Sequence, residues 1–345
     1  MFNYPSLYIF KDYFSIKTKR RKMPTSIVTG GAGFIGSHLC EALIRKGHKV
    51  ICFDNLSTGS LKNIQNLNNN LNFKFIKGDV IKKSEIEKAF SENIDYVFHY
   101  AATVGVKRTL ENPLLVLDDI DGMRNILELS RIKDAKKVVF SSSSEVYGDP
   151  VEFPESEESH TNAKLPYAVT KLMSEKYMQA YHKLYNLPTV SLRLFNVYGP
   201  KQESTPYGFV VGIFIKSILN NMKIPIFGDG SQTRDFVFIQ DNINATLKCL
   251  ETEKCNGEVI NIGTGKPTSI IDLAETVARV LKKEKIEFEF LPTREYEIKH
   301  RFPDITKMKR ILDYKHIFSI EEGLRETISW FKFNQFNGLL NQSSS

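Results

Sequence analysis

Short apolar runs alternate with longer stretches whose apolar positions recur at helical spacing, up to about residue 200. After a first strand opening at Ser26, the pattern predicts strands over 50–54, 72–77, 94–102 and 137–142. Apolar positions across 37–46 predict a helix that stops at Gly47, a residue suited to a C-cap. Further helices lead into Leu127 and run from Tyr167 to Tyr185. This alternation predicts an α/β fold, a Rossmann-type doubly wound parallel sheet with helices on both faces. Beyond Pro200 the pattern loosens into short apolar runs separated by Gly-Pro, Gly-Asp-Gly and Gly-Thr-Gly turns. That change predicts a smaller C-terminal α/β substrate-binding lobe interleaved with returns to the sheet. The Asn-rich stretch at 63–72 reads as a loop. The expected divisions are an N-terminal extension over 1–24, the Rossmann domain over 25–195, mainly lobe over 196–335 and a flexible tail over 336–345.

The first strand runs into Thr29-Gly-Gly-Ala-Gly-Phe-Ile-Gly36, where Gly31, Gly33 and Gly36 fit the G-x-G-x-x-G dinucleotide pattern. Gly30 adds a position able to take positive φ without a Cβ clash. Missing side chains let a pyrophosphate approach the backbone, and the helix beginning at Phe34 and Ile35 offers unpaired N–H groups to its charge. Asp54 ends the second strand, 18 positions after Gly36, where a ribose diol needs an acceptor. Its carboxylate would repel a 2′-phosphate, so the expected cofactor is NAD, with Asn55 beside it in the binding set. Asp79 and Val80 follow the third strand, from which Asp79 can meet the adenine edge. Ala101, among the small residues closing the fourth strand, leaves room for the cofactor.

The chain of 345 residues exceeds the usual single-domain range, and its apolar and charged fractions are those of a globular protein. Of the net charge of +7, residues 1–22 carry +5, so the remainder is nearly balanced and implies no nucleic-acid partner. Cys40, Cys52, Cys249 and Cys255 form no C-x-x-C pair, which favours a reduced, cytoplasmic setting. The histidines are scattered without metal-ligand spacing, so no metal is expected. No run of about 18 apolar residues is present to insert stably in a membrane. Residues 1–22 place Phe2, Tyr4, Tyr8, Phe10, Tyr13 and Phe14 before a basic run, the reverse of a signal peptide's order. Met23 as the true initiator is the leading explanation; a membrane-surface segment and an ordered extension are the alternatives.

Candidate chemistry concentrates between Ser141 and Lys171. Tyr167-Ala-Val-Thr-Lys171 sets a phenol and an ammonium one helical turn apart on the same face. A nearby ammonium favours phenolate, moving a group with a reference pKa of about 10 toward a usable general base. Ser141-Ser-Ser-Ser-Glu145 lies at the end of the predicted fifth strand, and ligand crevices of doubly wound sheets lie beyond strand carboxyl ends.

Together these residues resemble the extended short-chain dehydrogenase/reductases, specifically the nucleotide-sugar epimerases and dehydratases of the UDP-glucose 4-epimerase kind. The resemblance covers Ser26 to Phe331 and also rests on Asp54-Asn-Leu-Ser-Thr-Gly59, Ser141-Ser-Ser-Ser-Glu-Val-Tyr-Gly148, Arg193-Leu-Phe-Asn-Val-Tyr-Gly-Pro200 and Gly228-Asp-Gly-Ser-Gln-Thr-Arg-Asp235. It implies that Tyr167 is the acid/base, that Lys171 is its electrostatic partner and nicotinamide-ribose ligand, and that Ser143 bonds the reacting sugar oxygen. Asn196 is similar to a pyrophosphate-contacting asparagine, and Arg234 and Arg294 to arginines that clamp the diphosphate. The activity implied is NAD-dependent 4-epimerisation of a UDP-hexose through a transient 4-keto sugar. Oxidation at C4 is followed by rotation of the ketose and return of the hydride to its other face.

Other outcomes share that first oxidation. A 4,6-dehydratase resembles this chain less, because Ser144-Glu145 replaces the Asp-Glu pair that eliminates water. Nucleotide-sugar decarboxylases carry a similar Ser-Glu pair, which makes Glu145 a candidate catalytic residue and UDP-glucuronate decarboxylation the alternative. A non-catalytic NAD-binding sensor or scaffold would need the glycines but not Tyr167 and Lys171. Counted from Arg294, the position that sets room around the sugar C2 substituent falls at Phe302. Its bulk disfavours N-acetylhexosamines and favours glucose/galactose-type or glucuronate-type sugars. Asp118-Asp-Ile-Asp-Gly122 departs from the family pattern, which has Asn before the glycine and Thr after it. The resemblance further implies a homodimer built as a four-helix bundle on the helices through Leu127 and from Tyr167 to Tyr185.

Overall fold

The computed structural model describes residues 23–103, 109, 111–202, 209–293 and 297–342, with side chains through 334. The N-terminal half lays down six strands, Thr25–Thr29 (β1), Lys49–Asp54 (β2), Phe73–Lys77 (β3), Tyr96–His99 (β4), Lys137–Ser143 (β5) and Thr189–Leu194 (β6). Between them run helices Phe34–Arg45 (α1), Lys83–Ala89 (α2), Pro113–Ile132 (α3) and Pro166–Tyr185 (α4). The second half contributes Asn196–Tyr198 (β7), Val210–Leu219 (α5), Ile224–Phe227 (β8), Thr233–Phe238 (β9), Ile239–Lys248 (α6) and Glu258–Ile262 (β10). It continues with Pro267–Ser269 (β11), Ile270–Leu281 (α7), Phe288–Leu291 (β12), His300–Arg301 (β13), Thr306–Leu312 (α8) and Ile320–Gln342 (α9).

Seven strands form one sheet in the order β10-β6-β5-β4-β1-β2-β3, and every neighbouring pair is parallel. The reversal beside β1 is the doubly wound switch point, beyond whose strand ends ligands bind. Helices cover both faces, so β1 and β6 are buried at every position and read as apolar-rich runs rather than alternations. β10 belongs to this sheet although it lies in the second half of the chain. The lobe is built on β9, which pairs antiparallel with β11 and parallel with β13 and β7. A separate parallel pair joins β8 to β12.

Three boundaries differ from the sequence expectations. β4 ends at His99 rather than at 102, because the small residues after it leave the ladder: the Ala101 N–H turns to Thr29 Oγ1 at 3.3 Å and the Thr103 N–H to the Asp119 carboxylate at 3.1 Å. A 3₁₀ helix over Leu61–Leu67 runs into the Asn-rich stretch, since Ile64 and Leu67, three residues apart, both bury. The tail expected from 336 is helical as far as Gln342, where no proline interrupts α9. Among the described residues, no helix is long and apolar enough to cross a membrane.

Glu175, with no exposed surface, ties α4 to the sheet. It accepts hydrogen bonds from Ser142 Oγ on β5 at 2.5 Å and from Arg193 Nε and Nη2 on β6 at 2.9 and 2.8 Å. Ser142 precedes Ser143, and Glu175 lies one turn beyond Lys171, so this buried pair fixes the two elements that carry the candidate chemistry. Truncation of one partner strands the other charge in the core. Arg193→Ala should therefore lower stability by about 3–5 kcal/mol, read from the urea midpoint. A loss below about 1 kcal/mol, the value of an exposed pair, would contradict this assignment.

Candidate active site

The glycine turn is shaped by what its neighbours exclude. At Gly30, with φ +67°, an added Cβ would lie 2.8 Å from Ala101 N; at Gly36 it would lie 2.1 Å from Gly30 O. Only glycine lets α1 start this close to the strand end. Gly33 caps α1 in extended conformation without any side-chain bond, which leaves first-turn N–H groups at Phe34 and Ile35 for an anion. Asp54, 6% exposed, braces this turn by accepting Ala32 N–H at 2.9 Å and Leu56 N–H at 2.7 Å. Burial pushes its pKa up and these backbone donors pull it down. Each carboxylate oxygen keeps acceptor capacity for a diol.

Further along the crevice, Asn55 Nδ2 donates to Asp79 Oδ2 at 3.0 Å, and the Ile81 N–H to Asp79 Oδ1 at 3.2 Å. Val80 packs over α3, where an added Cβ at Gly122 would meet its Cγ2 at 2.9 Å. The Val80 carbonyl accepts from Asn125 Nδ2 at 2.9 Å. A bare helix N-terminus, a braced carboxylate and an amide–carboxylate rim form a donor and acceptor set that fits a dinucleotide.

Pro166 opens α4, a role its fixed φ suits, and so places Tyr167 in the first turn and Lys171 in the next. The Lys171 ammonium donates to Ser141 O at 2.6 Å and lies 4.7 Å from the Phe140 ring centroid and 5.5 Å from that of Tyr167. Burial lowers its pKa to about 8, opposed by Asp119 and Glu175. Ser143 ends β5 beside the Tyr167 phenol, whose pKa it draws down, and its Oγ accepts the Glu145 N–H at 3.2 Å. Burial drives the phenol above its ordinary value, Asp119 and Glu145 add to that, and Ser143 opposes it. The lowering expected from Lys171 is thus outweighed by desolvation of the half-buried Tyr167 phenol.

On the lobe side, Arg234 Nη2 pairs with Glu297 Oε1 at 2.6 Å, and its Nη1 donates to the carbonyls of Thr233 and Ile298 at 2.8 and 2.7 Å. Arg294 lies outside the described residues. Asn196 opens β7, half-buried, in register with Phe236. The Phe302 ring stacks on Phe153 with centroids 5.6 Å apart, and its N–H donates to Glu155 Oε2 at 2.8 Å.

Its neighbour Arg301 was not anticipated. It is 1% exposed, pairs through Nη1 with Glu145, and donates from Nη2 to Gly148 O at 2.7 Å. Successive strand residues point to opposite faces, so a Phe302 stacked outward on Phe153 itself signals an inward Arg301. Asp119, which accepts from the Thr103 N–H and hydroxyl, is the second residue that the sequence reading gave no site role. Its signal was the departure already visible at 118–122.

The model of the NAD dependent epimerase/dehydratase family matches residues 26–263. A UDP-N-acetyl-alpha-D-glucosaminuronate decarboxylase of Bacillus cytotoxicus is 37% identical, over 89% of this chain and 97% of its own. A putative UDP-glucose 4-epimerase of Methanocaldococcus jannaschii is 38% identical over 89% and 98%. Among solved structures, a UDP-N-acetylglucosamine 4-epimerase from Methanobrevibacter ruminantium, in complex with UDP-N-acetylmuramic acid, superposes with a TM-score of 0.86 at 38% identity, covering 91% of this chain and 99% of that one. With glycine turn, strand order and Ser-Tyr-Lys cluster in place, these likenesses assign the chain to the NAD-dependent epimerase/dehydratase family.

Proposed function

We propose that the chain is an NAD-dependent 4-epimerase of a UDP-hexose of the glucose/galactose or glucuronate type, working through a transient 4-keto sugar. The observation that carries this reading is the buried Lys171 ammonium, 5.5 Å from the Tyr167 ring centroid and bonded to Ser141 O on the strand that ends at Ser143, at the sheet's carboxyl edge. NAD, when bound, would take the C4 hydride and give it back. Gly30, Gly33, Phe34, Ile35 and Gly36 would hold its pyrophosphate, Asp54 its ribose, and Asn55, Asp79 and Val80 its adenine side, with Ala101 leaving it space. Tyr167 takes the proton from the sugar 4-hydroxyl and later returns it to the same oxygen. Lys171 stabilises the phenolate electrostatically, and Ser143 holds the oxygen in both sugar poses. Asn196, Arg234 and Arg294 hold the diphosphate while the ketose turns.

The buried Arg301 favours a second reading, UDP-hexuronate decarboxylation. A 4-keto hexuronate is a β-keto acid. Its C5–C6 bond breaks, carbon dioxide leaves, the electron pair passes to O4 as an enolate, and C5 is then protonated. A guanidinium already paired with Glu145, two residues from Ser143, is suited to govern a carboxylate at that position. Incubation with UDP-glucose, UDP-galactose, UDP-glucuronate and UDP-N-acetylglucosamine in turn, with product mass analysis, separates the readings. Interconversion of C4 epimers at constant mass supports the epimerase. Release of carbon dioxide from UDP-glucuronate overturns it in favour of the decarboxylase.

Tyr167→Phe should reduce turnover by about 10²–10⁴-fold while the purified protein keeps its nucleotide content. Unchanged turnover would remove Tyr167 from the chemistry, and absence of any turnover in the parent would favour a sensor.

We further read the protein as a cytoplasmic homodimer. All four cysteines are free and buried, which suits a reducing compartment. Leu114 and Leu117 on α3, at 76% and 54% exposure, and Val169, Tyr177 and Leu184 on α4, at 51%, 53% and 70%, form an apolar surface that a second copy would cover. Leu184→Glu should convert the dimer to monomer in sedimentation, and a parent chain that sediments as monomer would refute the assembly.

A further inference from the structure

Lys171 is buried, and a buried ammonium needs a compensating negative charge. Its hydrogen bond to Ser141 O supplies only a dipole. Two carboxylates act on it, those of Glu175 and Asp119. Glu175 is already committed to two guanidinium nitrogens of Arg193, Nε and Nη2, and to Ser142. Asp119 has no cationic partner of its own among the described residues: its oxygens accept the Thr103 N–H at 3.1 and 3.2 Å and the Thr103 hydroxyl at 3.3 Å. It shares a small cavity with Lys171, closed by His99, Ala101, Phe140 and Thr170. We infer that Asp119 is the counter-ion of the Lys171 ammonium, a positioning residue that sets the protonation state of the Tyr167–Lys171 pair.

The groups around this carboxylate have separable roles. From α4, Lys171 draws its pKa down and the Tyr167 phenol faces it. From its own helix, Asp118 pushes it up, as burial does more strongly, leaving it at about 6. From β4, His99 contributes no charge: burial and Lys171 hold its pKa at about 3, and its Nδ1 is engaged with Thr29 Oγ1 at 2.8 Å. Glu145 also acts on the phenol, but it is paired with Arg301. Above its own titration, Asp119 therefore raises the pKa values of both Lys171 and Tyr167. One carboxylate keeps the ammonium charged and delays the phenolate.

This rests on the reading of Tyr167 and Lys171 as the reactive pair for its turnover arm alone. In the purified holoenzyme, ¹³C-lysine NMR should show the Lys171 resonance, identified by its loss in Lys171→Met, titrating about one unit or more lower in Asp119→Asn than in the parent. Asp119→Glu should restore most of the difference. With substrate, the whole pH profile of kcat in Asp119→Asn should move to lower pH on both limbs, with KM unchanged. Should Asp119→Asn fold poorly, the reciprocal measurement needs no change at that position: Lys171→Met should raise the Asp119 carboxyl titration, followed by ¹³C-aspartate NMR, by a comparable amount. Titrations of Lys171 and Asp119 that are each indifferent to loss of the other would overturn the assignment. Coupled titrations with an unmoved kcat profile would uphold the counter-ion, reject its control of the reactive pair and count against the proposed chemistry.

Discussion

A positive charge enclosed at the carboxyl edge of a parallel sheet constrains much of this structure. Removing an ammonium from water costs several kcal/mol even after relaxation, so its surroundings must return that energy through fixed partners. At Lys171 they are the Ser141 carbonyl, the faces of the Phe140 and Tyr167 rings, and two carboxylates, Glu175 on its own helix and Asp119 on α3. Each must be held still to be effective. The Glu175–Arg193 pair supplies much of that rigidity by joining α4, β5 and β6 in one buried network. The serines at the end of β5 therefore divide their roles. The Ser141 carbonyl receives the ammonium, Ser142 locks the helix, and Ser143 draws down the pKa of the phenol.

The glycine turn has its own version of the same logic. Its backbone can approach an anion only because no Cβ stands at Gly30 or Gly36, and that bare turn is kept in shape from beneath by Asp54. The carboxylate thus has a structural occupation before any ribose arrives. A charge that braces the turn can also select against a second phosphate, since both effects come from its position under the N-terminus of α1.

The fold was legible wherever one interaction dominates the local sequence. Strands covered on both faces show as apolar runs, and the turn between β1 and α1 shows as glycines, because close backbone approach admits no other residue. What was not legible depends on competition between terms or on distant chain. β4 stops early because Thr29 and Asp119 outcompete the ladder for the N–H groups of Ala101 and Thr103. The Tyr167 pKa moves opposite to the expectation because spacing reveals the lysine but not the depth of burial. Arg301 escaped notice because its meaning lies in Glu145, far away in sequence and brought near by the pairing of β13 with β9 and by the bonds between Phe302 and Glu155.

That last contact bears on how one fold serves several reactions. In the proposed chemistry, oxidation at C4 uses the phenol of Tyr167, the hydroxyl of Ser143 and the ammonium of Lys171, all carried by the sheet and α4. Later steps involve C5 and C6, on the side of the sugar that the lobe residues would meet. Arg301 belongs to the lobe, while Glu145 belongs to the 3₁₀ turn after β5, so their ion pair spans the two parts of the site. A sugar with a neutral C6 would leave that pair intact. A carboxylate there would compete with Glu145 for the guanidinium, and Glu145 also faces the Tyr167 phenol electrostatically. In the proposed chemistry, the charge of the substrate at C6 can therefore reach the phenol assigned to O4 through a single side chain, coupling sugar identity to the fate of the keto sugar without any change in the oxidising machinery.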